Sequence, residues 1–282
     1  MKNCLIIINC NDYKFTKHLV DNVVDYKVID KILIVDNDSR EEEKNLIKSI
    51  KNPKIEKIFN DENLGYSAAI NIGAKYMIDK YKKCNFIISN SDIVIMDEKD
   101  LEILIELLSY EKVGLVVPSL LERGKINRGW KEYGAKTDFF LGMPIAREFV
   151  SENLIYYNKD YYSNDYSFVD NVSSAFFLIT SENLKKIGYM DENVFLYYEG
   201  TILSKKIRNN DLMVIISNKV KIKHLYSRSV DKIITGYNKY KMFKESQLYY
   251  YSTYRTISKF AFRLLKLQKN VGLFNRKLFR KK

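Results

Sequence analysis

The chain has 282 residues, of which 46% are apolar, a content that suits a packed core and excludes a disordered or fibrous protein. Its three cysteines are too few and too scattered for a disulfide framework, and none forms the CxxC pair typical of zinc sites. The net charge is +12, but ten basic residues and no acidic residue lie from Arg255 onward, which leaves a nearly neutral body with a cationic end.

Strands and helices alternate over the first hundred residues. Apolar runs predict strands at residues 4–9, 31–36, 55–59 and 86–89. Apolar residues at helical spacing predict helices at 15–25, 40–50 and 67–80. A further helix at 98–109 opens with Asp97 as its N-cap, and a buried strand follows at 113–118. This order is typical of an α/β fold with a mainly parallel central sheet flanked by helices.

The second half of the chain is less regular. Residues 124–165 are rich in Tyr, Phe and charged residues without clean periodicity, and we expect loops and short elements there. The elements predicted after this region are a strand at 169–180, helices at 181–187 and 202–209, strands at 214–216 and 220–225, and a largely helical segment at 237–265. The sequence shows no linker between independent domains, so we expect one continuous globule with a tail.

Each of the four early strands ends in a polar cluster. The clusters are residues 9–12, 36–39, 60–63 and 90–92. Because the carboxyl ends of parallel strands form the ligand crevice of an open α/β sheet, we expect one polar site at this edge. Asp92 is the natural ligand for a divalent cation there, although an acidic residue after a strand is, taken alone, more often a turn residue.

The order of these motifs resembles the inverting family 2 glycosyltransferases of GT-A fold, especially the rhamnosyltransferase-like branch. The matching segments are residues 6–11, the Asp-Asn-Asp-Ser at 36–39, the Asn-Leu-Gly segment at 63–73, the Asn-Ser-Asp at 90–92, and the Gly-Tyr-Met-Asp-Glu segment at 188–197. The resemblance runs from about Leu5 to Ser229. It implies a GT-A domain at 1–230, divided into a nucleotide-sugar half (1–118) and an acceptor half (119–230), followed by a helical basic extension at 231–282.

The resemblance also implies a reaction and its residues. The donor would be a nucleotide-diphosphate sugar, such as dTDP-rhamnose or a UDP-hexose, with Mn²⁺ or Mg²⁺ as cofactor, and the acceptor a glycan or lipid-linked saccharide in surface polysaccharide synthesis. The implied nucleotide-binding residues are Asn9, Asn11, Asp36, Asn63, Gly65 and Asn90. Metal ligands would be Asp92 and His224, although a lone His is also a common surface or core residue. The implied acceptor-binding residues are Asp191, Glu192, Tyr197 and Tyr198.

Gly200 departs from the family pattern. The family usually has Glu-Asp after the aromatic stretch, with the Asp as the general base that deprotonates the acceptor hydroxyl, and this chain has Glu199-Gly200. We predict that Glu199 is the catalytic base, kept ionised near neutral pH by the N-terminus of the following helix. Two alternatives stay open: Glu199 caps that helix, or the chain is a catalytically impaired nucleotide-sugar-binding protein of the same fold.

Other functional classes have less support. A nucleotidyltransferase usually needs a glycine-rich phosphate loop after its first strand, and residues 9–13 contain no glycine. We predict no nucleic-acid partner, because the sequence lacks a zinc-finger, RNP-like or helix-turn-helix signature.

The cationic end of the chain also carries apolar residues. Residues 260–267 mix the two types, and Phe274, Leu278 and Phe279 continue the pattern among cations. We predict peripheral attachment to an anionic membrane, while a solvated tail or a helix packed on a partner subunit of a homo-oligomer stays open. Because no signal peptide and no window of about 18 apolar residues is visible, we expect a cytoplasmic protein, with attachment at the inner face of the membrane.

Overall fold

The computed structural model describes residues 1–143, 145–225 and 235–278. Its strands are β1 (Lys2–Asn9), β2 (Lys31–Asn37), β3 (Ile55–Asn60), β4 (Cys84–Asn90), β5 (Ile93–Val94), β6 (Val113–Glu122), β7 (Lys125–Asn127), β8 (Tyr166–Phe168), β9 (Phe176–Thr180) and β10 (Met213–His224). Its helices are α1 (Tyr13–Val23), α2 (Glu41–Ser49), α3 (Tyr66–Tyr81), α4 (Glu98–Leu108), α5 (Ala135–Leu141), α6 (Ser181–Lys186), α7 (Glu199–Arg208), α8 (Gly236–Thr253) and α9 (Lys259–Leu278). Short 3₁₀ helices lie at Ala146–Phe149, Glu152–Leu154 and Lys159–Tyr162.

One central sheet organises the described residues. Its strand order is β3-β2-β1-β4-β9-β6-β10-β5, with β7 paired to β6 and β8 paired to β10. The first four strands are parallel, whereas β9 is antiparallel to both β4 and β6. The predicted α/β fold with a central sheet flanked by helices is confirmed, and the parallel direction holds throughout its N-terminal half.

The two faces of the sheet bury two apolar clusters. Because successive side chains of a strand point to opposite faces, Ile6 packs with residues of α3 while Leu5 and Ile7 pack with residues of α1, α2 and α4. All three side chains are fully buried, and each such burial contributes about 1.5–3 kcal/mol. Because both faces of the sheet are covered, the strands whose carboxyl ends carry the polar clusters are held in place.

The predicted strand at 169–180 is wrong over its first part. Only Phe176–Thr180 forms a strand, and Asn171 makes a single antiparallel bridge with Trp130. Val169 and Val172 are buried, so the apolar run reflects burial of a loop rather than strand pairing.

Two other boundaries also differ from the prediction. The strands predicted at 214–216 and 220–225 form one strand, β10, whose pairing with β6 shifts register between Ser217 and Lys221. The helical segment predicted at 237–265 is two helices, because α8 ends at Thr253 and α9 begins at Lys259.

Helices α8 and α9 pack against each other and against the body of the protein. The Gln268 side chain of α9 accepts a hydrogen bond from Lys244 of α8 at 2.5 Å and donates one to the carbonyl of Phe139 in α5 at 2.6 Å. The domain boundary predicted at residue 230 lies outside the described residues. None of the helices within 1–143, 145–225 and 235–278 is long and apolar enough to cross a bilayer.

Candidate active site

The polar clusters that follow β1 to β4 meet at one edge of the sheet. Hydrogen bonds join them in pairs: Asn9 to Asp36 (2.7 Å), Asn37 to Asn63 (2.9 Å) and Ser91 to Asp12 (2.9 Å). Four segments far apart in sequence therefore form one polar surface, as expected for the carboxyl edge of parallel strands.

Asn9 and Asp36 have no exposed surface. The Asp36 carboxylate accepts hydrogen bonds from the Asn9 amide, the Ser39 hydroxyl (2.6 Å) and the Ser39 backbone N–H (3.0 Å). The Ser39 hydroxyl oxygen in turn accepts a bond from the backbone N–H of Asn11 at 2.7 Å. These two predicted nucleotide-binding residues thus hold the loops in place, while the partly exposed Asn11 and the exposed Asn63 face outward.

Gly65 lies against the aromatic loop before α7, which comprises residues 189–198. Its φ is +85°, and a Cβ atom there would lie 2.8 Å from the carbonyl oxygen of Phe195. Its backbone N–H donates to Asn63 Oδ1 at 3.1 Å, and the next N–H, of Tyr66, donates to the same Phe195 carbonyl at 3.2 Å. Only glycine suits this position, because a side chain would meet both backbone strain and steric overlap.

Asp92 and His224 lie side by side at the end of the sheet. The antiparallel pairing of β5 with β10 sets His224 opposite Ile93, and its Nε2 lies 3.2 Å from Asp92 Oδ1. The other ring nitrogen, Nδ1, lies 2.8 Å from Glu122 Oε1, since β6 pairs in register with β10 at this point. Burial lowers the pKa of His224, but the hydrogen bonds and charges of Asp92 and Glu122 outweigh it and raise the pKa to about 9.

Asp92 and His224 could supply two ligands to a divalent cation. Because the pKa of His224 is about 9, a cation would have to replace the proton on Nε2. Glu122 would then hold the Nδ1–H, and Nε2 would be a ligand beside the Asp92 carboxylate, the usual carboxylate–histidine–metal order. One nitrogen and one oxygen donor suit Mn²⁺ better than Mg²⁺, which favours oxygen alone. Among the described residues no group of three or more His, Cys, Asp or Glu converges on one point. The remaining ligands would have to come from a bound diphosphate and water.

A cavity of about 390 Å³ opens beside this pair. The predicted site residues that line it are Asn90, Tyr197, Tyr198, Glu199 and His224. Helix α8 lines the same cavity with Phe243, Tyr250 and Tyr251, and the irregular middle of the chain contributes Trp130 and Glu132. None of these last five was predicted from the sequence to be a site residue. They lie in irregular or distant segments, and no local sequence pattern indicates that these segments fold back onto the cavity.

Glu199 is the first residue of α7 and points its carboxylate into a buried position. The two residues before it, Tyr197 and Tyr198, have φ values of 71° and 67°, a left-handed conformation that is strained for side chains of this size. Glu199 Oε1 is buried and has no hydrogen-bond partner among the residues that the structure describes. Burial raises the pKa of Glu199 to about 7, against the lowering effect of two backbone hydrogen bonds.

The expectation that the helix N-terminus keeps Glu199 ionised near neutral pH is therefore wrong. A carboxyl with a pKa of about 7 is half protonated there, because desolvation outweighs the backbone N–H groups. A base with a pKa close to the working pH is also the efficient kind for proton transfer.

Gly200 is a position without room for a side chain. A Cβ atom there would lie 2.2 Å from the carbonyl oxygen of Val172 and 3.0 Å from the backbone nitrogen of Ser174. The aspartate that the family usually has at this position does not fit this backbone. Glu199 is consequently the carboxylate that this segment presents to the cavity.

Asp191 and Glu192 lie outside this cavity. They line a second cavity of about 420 Å³, where Asp191 accepts hydrogen bonds from the hydroxyls of Tyr249 (2.9 Å) and Tyr254 (2.5 Å). Glu192 accepts one from the amide of Asn71 at 2.7 Å. These two predicted acceptor residues thus connect the aromatic loop to its neighbours: Glu192 bonds to α3, and Asp191 bonds to the end of α8.

The sequence matches the family model of Glycosyl transferase family 2 over residues 4–188. Comparison with curated proteins found no significant match. Solved structures with a similar fold include GalNAc-T7 with UDP, GalNAc and Mn²⁺, at a TM-score of 0.59 and 15% identity. That match covers 89% of this chain but only 50% of GalNAc-T7, so the chain spans about half the length of that protein.

Two further structures extend the comparison. The mannosyltransferase PcManGT from Pyrobaculum calidifontis, in complex with GDP-Man and Mn²⁺, has a TM-score of 0.59 and 11% identity, and the match covers 95% of this chain and 69% of PcManGT. Residues 1–349 of S. aureus TarS give a TM-score of 0.53 and 12% identity, covering 90% of this chain and 72% of that one. At these identities the likeness shows the fold, which is GT-A.

Proposed function

The chain belongs to glycosyl transferase family 2, and we propose that it transfers a sugar from a nucleotide-diphosphate sugar to an acceptor hydroxyl by single displacement with inversion. The observation that carries this proposal is Glu199. It is a buried carboxyl whose pKa is about 7, on the wall of a cavity that is also lined by Asn90 and His224 from the sheet edge. The proposed proton acceptor and one proposed metal ligand, His224, thus line the same cavity.

The donor would bind along the carboxyl edge of the sheet. Asn11 and Asn63 would contact the nucleoside, Asn9 and Asp36 would hold their loops, and Gly65 and Asn90 would border the diphosphate. Asp92 and His224 would bind Mn²⁺ or Mg²⁺, a cation that stabilises the charge of a leaving diphosphate. The Mn²⁺ in the structures of GalNAc-T7 and PcManGT, beside UDP or GDP-Man, supports this assignment. We infer dTDP-rhamnose or a UDP-hexose as donor from the sequence resemblance.

Glu199 would act on the acceptor. Its carboxylate takes the hydroxyl proton while the acceptor oxygen forms a bond to the anomeric carbon. The bond between that carbon and the diphosphate oxygen breaks, and its electron pair leaves with the diphosphate. One displacement inverts the configuration at the anomeric carbon, and it requires the base on the side opposite the leaving group.

The cavity suits a saccharide acceptor. Trp130, Tyr197 and Tyr250 give it aromatic faces on which a sugar ring can stack, and its volume lies within the usual range of ligand sites. We propose a glycan or lipid-linked saccharide acceptor, used in surface polysaccharide synthesis on the cytoplasmic side of a membrane.

The second candidate is a nucleotide-sugar-binding protein without transfer. Gly200 in place of the usual aspartate is the observation that favours it. Two assays separate the candidates. A thermal-shift screen of nucleotide sugars with and without Mn²⁺ finds the donor, because a ligand at 100 times its Kd stabilises the fold by about 2.7 kcal/mol. Incubation of that donor with saccharide acceptors, followed by mass spectrometry, then shows transfer or its absence. Binding without transfer to any acceptor, and without slow hydrolysis of the donor, would favour the binding protein.

A further inference from the structure

Helix α9 packs against the protein along one face. Leu265 is fully buried, and Gln268 bonds to both α8 and α5. A Cβ atom on Gly272 would lie 2.0 Å from the hydroxyl of Tyr240, so the two helices are closest there. These three residues fall within about 60° of one another around the helix axis at 100° per residue.

An exposed apolar stripe lies next to the packed face of α9, centred about 110° from it around the helix axis. Its six residues are Phe260, Leu264, Leu267, Val271, Phe274 and Leu278. They recur at alternating steps of four and three and span about 80° around the helix. All but the half-buried Leu264 are between 50% and 70% exposed, which is unusual for so many large apolar side chains on one helix face.

A row of cations borders one side of this stripe. The exposed residues Lys259, Arg263, Lys266 and Lys277 lie within about 60° of the helix circumference, directly next to it. No acidic residue occurs between Arg255 and the end of the sequence. A helix with an apolar stripe beside a purely basic row has the composition of helices that lie in a membrane interface.

We propose that this face of α9 lies on the surface of a bilayer that contains anionic lipids. Phe260, Leu267 and Phe274 enter the boundary between headgroups and acyl chains, and the neighbouring cations contact lipid phosphates. This inference goes beyond sugar transfer and rests on the exposed residues of α9 alone, so its test does not depend on activity.

The charge pattern decides against a second copy of the chain as the partner. Apolar steps of four and three also suit a two-stranded coiled coil, whose stability and register depend on charge pairs beside the stripe. The residues beside it are Arg263, Asn270 and Lys277 on one side and Ala261, Gln268 and Asn275 on the other. A partner helix of the same sequence offers no acidic residue to these cations, whereas an anionic lipid surface offers many phosphates.

A second apolar group lies beside α9. Gly142, just after α5, lies against the side chain of Gln268. The segment around it exposes Phe140, Met143, Ile145 and Phe149. These side chains would widen the membrane-facing surface beyond the helix itself.

Attachment through α9 would also place the cavity at the membrane. Hydrogen bonds tie α9 to α8 at Tyr240 and Lys244, and an ion pair joins Lys269 to Glu245 at 2.9 Å. Because α8 supplies Tyr250 and Tyr251 to the cavity wall, the cavity would stay close to the bilayer. If the proposed transfer is right, this position favours a lipid-linked acceptor.

Vesicle sedimentation tests the proposal with the full chain. The wild type is mixed with vesicles of phosphatidylcholine alone or with about 30 mole per cent phosphatidylglycerol added, which supplies anionic headgroups. We expect sedimentation with the anionic vesicles only. Leu267→Glu with Phe274→Glu should weaken that binding by on the order of tenfold or more. Leu46→Glu, at an exposed leucine of α2, adds negative charge far from the stripe and should bind nearly as the wild type does.

Three results would overturn the proposal. They are equal sedimentation with neutral vesicles, unchanged binding of the double variant, or a wild-type dimer in light scattering that the double variant converts to a monomer without loss of vesicle binding. Circular dichroism and thermal unfolding check that the variants fold. Because both substituted side chains are exposed, we expect their melting temperatures to stay near that of the wild type.

Discussion

The carbonyl oxygen of Val172 lies 2.2 Å from the point where a side chain on Gly200 would begin. The backbone of the buried loop around Val172 therefore occupies the space beside the start of α7. This contact gives the missing aspartate a physical reason: the space is filled by backbone. The departure from the family pattern thus need not mean a lost activity, since Glu199, at the preceding position, lines the cavity.

Restoring the family residue should harm the protein. We predict that Gly200→Asp lowers the free energy of unfolding by about 1–3 kcal/mol or more, because the new side chain overlaps the backbone of residues 172–174. It should not raise the rate of sugar transfer. Urea unfolding measures the loss, and Gly236→Asp is the matched control, since nothing lies within 4 Å of a Cβ atom there. A Gly200→Asp variant that is as stable as the control and faster than the wild type would contradict the structure at this contact.

Transfer should depend on the protonation of Glu199. The base works only when ionised, and burial raises its pKa to about 7. At saturating donor, acceptor and Mn²⁺, we expect the rate to level off above pH 7 and to fall about tenfold per pH unit well below it. A pH profile of kcat between 5.5 and 8.5 measures this dependence. A rate that stays flat down to pH 5.5 would mean that no group with this pKa acts as base.

The same carboxyl should make the folded protein less stable at high pH. Its pKa is about 7 in the folded chain against an ordinary 4.5, so the folded state favours the neutral form. Its contribution to stability is fully present below about pH 4.5 and is lost as the pH rises through 7. Glu199→Gln removes the buried charge and should stabilise the protein by up to about 3 kcal/mol at pH 8, with little change at pH 4.5.

A structural role for Glu199 predicts the opposite result. If it only capped α7, replacement would cost about 1 kcal/mol, as removal of a helix cap usually does. Thermal unfolding of wild type and Glu199→Gln at both pH values distinguishes the two roles by the sign of the difference at pH 8.

Metal binding should depend on Asp92 directly and on Glu122 indirectly. Asp92→Asn should abolish the Mn²⁺-dependent part of donor binding while the fold stays intact. Glu122→Gln should weaken Mn²⁺ binding by about 10–100-fold, because the amide orients the His224 ring less well than a carboxylate. Titration calorimetry of Mn²⁺ in the presence of the free nucleoside diphosphate gives the Kd of Mn²⁺ for each variant. Glu192→Gln, in the second cavity, is the control, and equal loss in that variant would refute the assignment.

The sequence predicted the structure of residues 1–118 better than that of the residues after them. Long apolar strands such as β1 are recognisable from their apolar runs. The polar loops after them meet at one edge of the sheet, because parallel strands end side by side. Glu122 was not predicted as a site residue, because it is the last residue of β6 and the predicted strand ended at residue 118.

The structure after residue 118 depends on how distant segments fold back. Tyr250 lies in a helix that the sequence marks only as a basic extension, yet that helix lines the cavity. Trp130 reaches it through one bridge to Asn171, a contact that no local pattern encodes. Asp191 matches a family motif, but it lies outside the cavity, where it accepts hydrogen bonds from Asn193, Tyr249 and Tyr254.

The role of Glu199 as the base is the central claim, and steady-state transfer by Glu199→Gln tests it most directly. Donor affinity is measured for the same variant by calorimetry, and Glu192→Gln serves as the control. We predict that kcat of Glu199→Gln falls on the order of 10²-fold or more while the Kd of the donor stays within about twofold of the wild type. Transfer by Glu199→Gln at a rate near that of the wild type would show that Glu199 is not the base.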